Sequence, residues 1–291
     1  MESVLFTGAC TALVTPFLNQ QVNYPMAEQL LRRQMDAHIP AVVLAGTTGE
    51  SATLSDEEKL ELFRRGVRLS GGACKIIAGT GSNHTAHAVE LSKAAEACGV
   101  HALLVVSPYY NKATPSGLVA HYRAIAEAVS LPIIVYNVPS RTGVDIPVSV
   151  YKALSGIPNI VGVKEASTDI TKISRIRLAC GNSFSVWCGN DDQAAAAIAL
   201  GARGVISVLS NVLPEQTQAL ALAALAGDFD TAGELQSTLL PLTDLLFCEV
   251  NPIPVKAALR CMGLDVGGCR LPLTELSPAH QTAMERYFRQ L

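Results

Sequence analysis

Eight short, apolar, β-rich runs recur along the chain with helical sequence between them, and this alternation constrains the fold more than any other feature. In order they are ACTALVTPF (9–17), AVVLAG (41–46), KIIAGTG (75–81), ALLVVSP (102–108), PIIVYNV (132–138), IVGVKEAS (160–167), FSVWCGN (184–190) and GVISVLS (204–210). Intervening segments such as DEEKLELFRRGVRLSGG and HAVELSKAAEACG carry apolar residues at helical spacing and end in glycine, a helix stop signal. Strands alternating with helices imply crossover units and a parallel sheet. Eight such units predict a closed (β/α)8 TIM barrel rather than an open doubly wound sheet, and 291 residues suit that size. About 80 residues follow the eighth run, more than one closing helix needs. LPEQTQALALAALAGDFDTAGELQSTLLPLTDLLF predicts helix, turn, helix, and the tail from Pro252 to Leu291 predicts at least one more helix. The expected organisation is a barrel over residues 1–225 with a C-terminal helical extension over 226–291 packed on it.

Composition narrows the function. Hydrophobic residues make up 49% of the chain and charged residues 16%, which permits a large core and leaves apolar surface for contacts between copies. The net charge is −3 and no long basic run occurs, so nucleic acid is not an expected partner. The opening MESVLFTGACTALVTPF lacks a basic stretch followed by a long apolar one, so no signal peptide is expected. No apolar run is long enough to cross a bilayer. The eight cysteines are scattered without a C-x-x-C pair, the pattern of reduced thiols in a cytoplasmic protein.

Within the sixth run, IVGVKEAS, a lysine interrupts apolar sequence. Lysine is almost never fully buried without a partner, and burial disfavours the charged form of an amine. Strand alternation puts Gly162, Lys164 and Ala166 on one face and Val161, Val163 and Glu165 on the other. The valines suit packing against outer helices, so Lys164 is placed inside the barrel, with small neighbours leaving room around its amine. Glu165 then points away and is a poor ion-pair partner for it. Two readings stand: a nucleophilic amine able to form an imine with a carbonyl, or a buried ion pair with some other carboxylate.

Other groups collect at the predicted carboxyl ends of strands, where barrel enzymes keep their sites. The second run leads into AGTTGES, whose backbone amides can hold a small carboxylate and whose threonines can pass protons, although a plain strand-to-helix turn also favours Gly and Thr. The fifth run continues as PIIVYNVPSRTG. It offers Tyr136 as a proton donor and acceptor and Arg141 as a carboxylate clamp, against a core aromatic and a solvated loop charge. The fourth ends in SPYYNK, where Tyr109 and Tyr110 can serve the site, an interface or packing. GTGSNH (79–84) fails as a dinucleotide fingerprint because His84 stands where the third glycine belongs, so no nicotinamide cofactor is expected. His84 and His87 lack further ligands in the sequence and read as a polar helix face rather than a metal site.

GTTGE (46–50), YNVPSRT (136–142) and GVKEAS (162–167), in that order, resemble the dihydrodipicolinate synthase and N-acetylneuraminate lyase family, and more closely its synthase branch. The resemblance spans nearly the whole chain. It implies a class I aldolase-type lyase that condenses pyruvate with L-aspartate 4-semialdehyde through a lysine Schiff base, giving 4-hydroxy-tetrahydrodipicolinate on the route to lysine and diaminopimelate, with no metal or organic cofactor. By position it implies Lys164 as the imine-forming residue and Tyr136 as the proton relay, with Thr47 and Tyr110 as its partners. In that family the second tyrosine comes from a neighbouring subunit of a homotetramer built as a dimer of dimers. Thr48 and Ile206 match pyruvate contacts, Gly189 a position near the site, and Arg141 the residue receiving the carboxylate of the semialdehyde. Lysine-inhibited members have a second, allosteric site, which Ser51, Ala52, Asn83 and Tyr109 fit. Asp56 and Lys59 stand where histidines occur in some sensitive members, and His87 where a glutamate holds the lysine ammonium. Weak or absent lysine feedback is therefore expected. The nearest alternatives are another pyruvate-dependent aldolase, such as an N-acetylneuraminate or keto-sugar-acid lyase, and a non-catalytic metabolite-binding barrel.

Overall fold

A computed structural model describes residues 4–290. Eight parallel strands form one closed ring: β1 (Gly8–Ala12), β2 (Ala41–Leu44), β3 (Lys75–Gly79), β4 (Ala102–Val106), β5 (Ile133–Asn137), β6 (Ile160–Glu165), β7 (Ser185–Cys188) and β8 (Gly204–Ser207). The ring closes where Gly8 to Thr11 of β1 pair in register with Gly204 to Ser207 of β8. Each strand begins close to where its apolar run begins and stops short of where the run ends. AVVLAG, for instance, leaves the ladder at Leu44, and Ala45 turns with φ 50°. The last residues of the runs are therefore not strand but the turns that rim the carboxyl face. The first run shows the same effect most strongly: past Ala12 it becomes loop, and Phe17–Leu18 pair with Gln21–Val22 in a small antiparallel hairpin that the sequence patterns did not predict.

Seven helices pack outside the ring before the eighth strand: α1 (Tyr24–Asp36), α2 (Asp56–Ser70), α3 (Thr85–Ala97), α4 (Pro115–Ala128), α5 (Val148–Leu154), α6 (Thr171–Cys180) and α7 (Ala194–Ala199). α2 shows how locally these are specified. Ser55 and Glu58 form a reciprocal capping box, acidic residues fill the first turn, and Gly71 at φ 52° ends the helix. After β8 come α8 (Pro214–Ala226), α9 (Phe229–Leu246), α10 (Ile253–Cys261) and α11 (Pro278–Arg289). The helix–turn–helix after β8 is present as expected, and the tail supplies two helices. No helix among the described residues is long and apolar enough to cross a membrane.

Strand alternation divides the core in two. Val42, Leu44, Leu103, Ile133 and Val163 join the large apolar layer between ring and helices. Cys10, Val43, Ile77, Leu104, Tyr136, Trp187 and Ile206 fill the ring itself. Trp187 pairs in register with Lys164 and stacks on Phe6 at 4.9 Å between centroids, closing the interior towards the amino-terminal end. Gly162 corrects one expectation. Its small size leaves no open room beside the amine, because a Cβ there would lie 2.1 Å from the Ser185 carbonyl oxygen and 2.9 Å from the Trp187 ring. The glycine exists so that β7 and the indole can approach. Gly162→Ala should cost roughly 1–3 kcal/mol of stability by overpacking, read as a lower urea midpoint with an unchanged slope.

Candidate active site

Lys164 points into the ring from β6 and is buried, 5% exposed. Its Nζ lies 4.3 Å from the centroid of the Tyr136 ring on the adjacent strand, at the register position directly beside it. Among the described residues no carboxylate oxygen comes within ion-pair distance of it. Glu165 faces the other way. It accepts from Asn137 Nδ2 at 2.8 Å, the Tyr151 hydroxyl at 3.1 Å and the Ser167 amide at 2.8 Å. Its charge is met by Lys172 at 3.6 Å, which also contacts Asp145. The buried lysine that is ion-paired behind this strand is thus Lys172 of α6, and Lys164 keeps a free amine.

A cavity of about 600 Å³ opens at the carboxyl face, and Thr47, Tyr136 and Arg141 all line it. The GTTGE segment reaches it through two tight turns: the Glu50 amide returns to the Thr47 carbonyl at 3.0 Å and the Ser51 amide to that of Gly46 at 3.2 Å. Arg141 stands exposed on the helical turn Pro139–Thr142 and donates to the Asn251 carbonyl at 3.1 Å. Thr48 is buried, and its hydroxyl accepts from Asn251 Nδ2 at 2.9 Å. Gly189 packs against the lysine itself, since a Cβ there would stand 3.1 Å from Lys164 Cε and 2.5 Å from Ala166 Cβ. Ile206 is buried in the ring interior on β8. Tyr110 is the exception. It is 91% exposed, with φ 69°, and does not line the cavity of its own chain.

Ser51, Ala52, Asp56, Lys59, His87 and Tyr109 line another part of the same cavity, while Asn83 stands back and donates to the Tyr109 carbonyl at 3.2 Å. Asp56 accepts from His87 Nε2 at 2.7 Å and from Lys59 at 3.2 Å. Burial works to raise the Asp56 carboxyl, but the hydrogen bonds from His87 and Lys59 outweigh it and hold it below its ordinary value. Among the described residues no group of His, Cys, Asp or Glu gathers in a way that can hold a metal ion.

Sequence reading missed the residues beyond 250 that shape the site. Asn251 touches both Thr48 and Arg141, and its Oδ1 meets no protein donor. Glu50 of GTTGE is held at φ 56° by an ion pair with Lys256 of α10, 2.5 Å long and fully buried. It also accepts the Arg270 amide at 2.9 Å. The signal available in sequence was Lys256 itself, a charge inside the apolar stretch IPVKAAL.

Residues 5–291 match the dihydrodipicolinate synthetase family. The chain belongs to that family. A curated relative from Exiguobacterium sibiricum, a 4-hydroxy-tetrahydrodipicolinate synthase, is 50% identical over 94% of each chain. Among solved structures, dihydrodipicolinate synthase from Aquifex aeolicus superposes with a TM-score of 0.96 at 43% identity, covering 98% of each chain. The chloride-inhibited dihydrodipicolinate synthase of Acinetobacter baumannii, solved as a complex with pyruvate, superposes with a TM-score of 0.95 at 42% identity over 98% of each chain.

The Glu50–Lys256 pair carries a stability prediction for this family member. Burial lowers the proton affinity of Lys256, and the charge of Glu50 opposes that shift. Lys256→Met leaves the carboxylate buried without its cation, and should cost roughly 3–5 kcal/mol in urea unfolding.

Proposed function

We propose that this chain is a Schiff-base-forming lyase that condenses pyruvate with L-aspartate 4-semialdehyde to give 4-hydroxy-tetrahydrodipicolinate, in lysine and diaminopimelate biosynthesis. The observation that carries this is the buried Lys164 amine, unpaired by any carboxylate among the described residues and set against the ring of Tyr136, which itself lines the cavity of about 600 Å³. The Lys164 amine attacks the pyruvate ketone and water leaves, giving a cationic imine that serves as an electron sink. Loss of a methyl proton gives the enamine, whose carbon attacks the aldehyde. The amino group of the semialdehyde then adds to the imine carbon and expels Lys164, which closes the ring and frees the enzyme.

Each of these transfers needs proton traffic, assigned to Tyr136 with Thr47 and Tyr110. Tyr110 projects from its own chain, so its part in the relay requires a neighbouring copy, and we propose a homotetramer built as a dimer of dimers. The turn amides and Thr48, with the Ile206 backbone, hold the pyruvate carboxylate. Gly189 lets the chain approach the reacting carbon, and Arg141 at the rim clamps the carboxylate of the second substrate by two hydrogen bonds. The test is borohydride trapping with pyruvate followed by peptide mass mapping. A pyruvyl adduct on Lys164 is expected, and an adduct on another lysine removes the mechanism. Lys164→Ala should lower turnover by about 10³-fold or more, and Tyr136→Phe by about 10²-fold. Faster reaction with N-acetylmannosamine than with the semialdehyde would reassign the acceptor.

Lysine control is proposed to be weak. In the outer part of the cavity Asp56 already carries Lys59 and His87, so an incoming ammonium finds its carboxylate occupied and a second cation beside it. Half-inhibition by lysine is expected only above about 1 mM, and His87→Glu should bring it down, both read in initial-rate assays.

A further inference from the structure

Two residues beyond Gly189, which packs against the Lys164 side chain, the chain carries a buried carboxylate. Asp191 opens the turn Asp191–Gln193 and is 4% exposed. Its Oδ2 accepts the amides of Val208 and Leu209 at 2.9 and 3.0 Å, at the turn that follows β8. Its Oδ1 meets no donor among the described residues. From outside, Gln236 of α9 donates to the Asp191 carbonyl at 2.9 Å and accepts the Ala195 amide at 3.1 Å, fastening the turn from behind. A neutral side chain could cap the two amides. An ionised one, buried with no cation in contact, costs free energy that the cap alone does not require.

We infer that Asp191 is a positioning residue for the reaction: it locks the turn after β8 that follows Ile206, and it supplies the buried negative charge that balances the cationic nitrogen formed on Lys164. This rests on the reading of Lys164 as the imine-forming amine. When the amine adds to the ketone and water leaves, the iminium nitrogen keeps its positive charge until the methyl proton departs. A fixed carboxylate in a low-dielectric interior lowers the free energy of that cation.

Burial pushes the Asp191 carboxyl above its ordinary value, while its hydrogen bonds and the charge of Lys164 oppose the rise. The other titratable groups around the pair are few. Tyr136 faces Lys164 from β5. Cys10 on β1 and Cys188 on β7 are pushed up by burial, Cys188 to about 12, so both thiols stay neutral. Glu165 is committed to Lys172 on the opposite face, and Asp192 is exposed.

Asp191→Asn tests this. The amide keeps the shape and an oxygen for the two backbone amides, and removes only the charge. Wild-type and variant full-length protein would be treated with pyruvate and cyanoborohydride across about pH 5 to 9, with the adduct on Lys164 quantified by mass spectrometry. No adduct in the wild type overturns the imine reading itself. With the wild type trapped, the variant is expected to move the acid limb of the trapping rate about one unit to lower pH, because loss of a neighbouring negative charge favours the neutral amine. It should also raise the pyruvate concentration for half-maximal trapping about tenfold. Superposition of both curves on the wild type, with only a lower melting temperature, overturns the proposal and leaves Asp191 a structural cap. If Asp191→Asn does not fold, Gln236→Ala releases the turn that holds Asp191 in place. A smaller shift in the same direction then supports the proposal, and an unmoved limb overturns it.

Discussion

A ring of strands closed on itself has no edge, so every side chain that points inward must be packed, paired or put to use. That constraint governs the rest of this molecule. Most inward positions are filled by aliphatic residues, Trp187 and Tyr136, and the ring holds little space for anything polar. Lys164 is tolerated there because its stem packs against Gly189 and its amine lies over an aromatic face rather than in hydrocarbon alone. The outward face of the same strand solves the opposite problem, seating Glu165 and Lys172 in a satisfied network behind the sheet. Two adjacent residues of β6 thus project an amine and a carboxylate into separate compartments, and the sheet keeps them from pairing with each other.

The carboxyl rim depends on the C-terminal helices as much as on the barrel. GTTGE is a turn with a residue in the left-handed region, a conformation that costs about 1–3 kcal/mol and persists only where surroundings enforce it. Lys256 and Arg270 enforce it through Glu50, and Asn251 ties the neighbouring Thr48 to the loop that bears Arg141. The segments on either side of α10, through Asn251, Pro272 and Leu273, are therefore part of the cavity wall, which the barrel alone does not complete.

Much of this was legible in the sequence because its signals are local. Short β-rich apolar runs marked all eight strands, helical spacing marked segments such as α2 and α3, and alternation about Lys164 placed the amine inside and Glu165 outside. What was not legible depends on distant partners. The ends of the strands were overrun because turn residues such as Ala45 and Gly46 are as apolar or small as the strand they follow. Gly162 was read as space, when its role is set by Ser185 and Trp187, two strand residues remote in sequence. Asn251, Lys256 and Asp191 carry no motif, and each acquires meaning only through contacts across the fold.

The amine and the arginine are held with different rigidity. Lys164 is fixed within the ring by register, packing and closure, whereas the Arg141 side chain stands exposed on a four-residue helical turn and donates to the Asn251 carbonyl. A substitution near Lys164 must be reconciled with the flanking strands β5 and β7 and with the packed ring interior, and one at the exposed Arg141 side chain with far less. Descendants of such a scaffold can therefore exchange the electrophile they accept through changes confined to a short surface segment, while the covalent half of the chemistry is inherited intact.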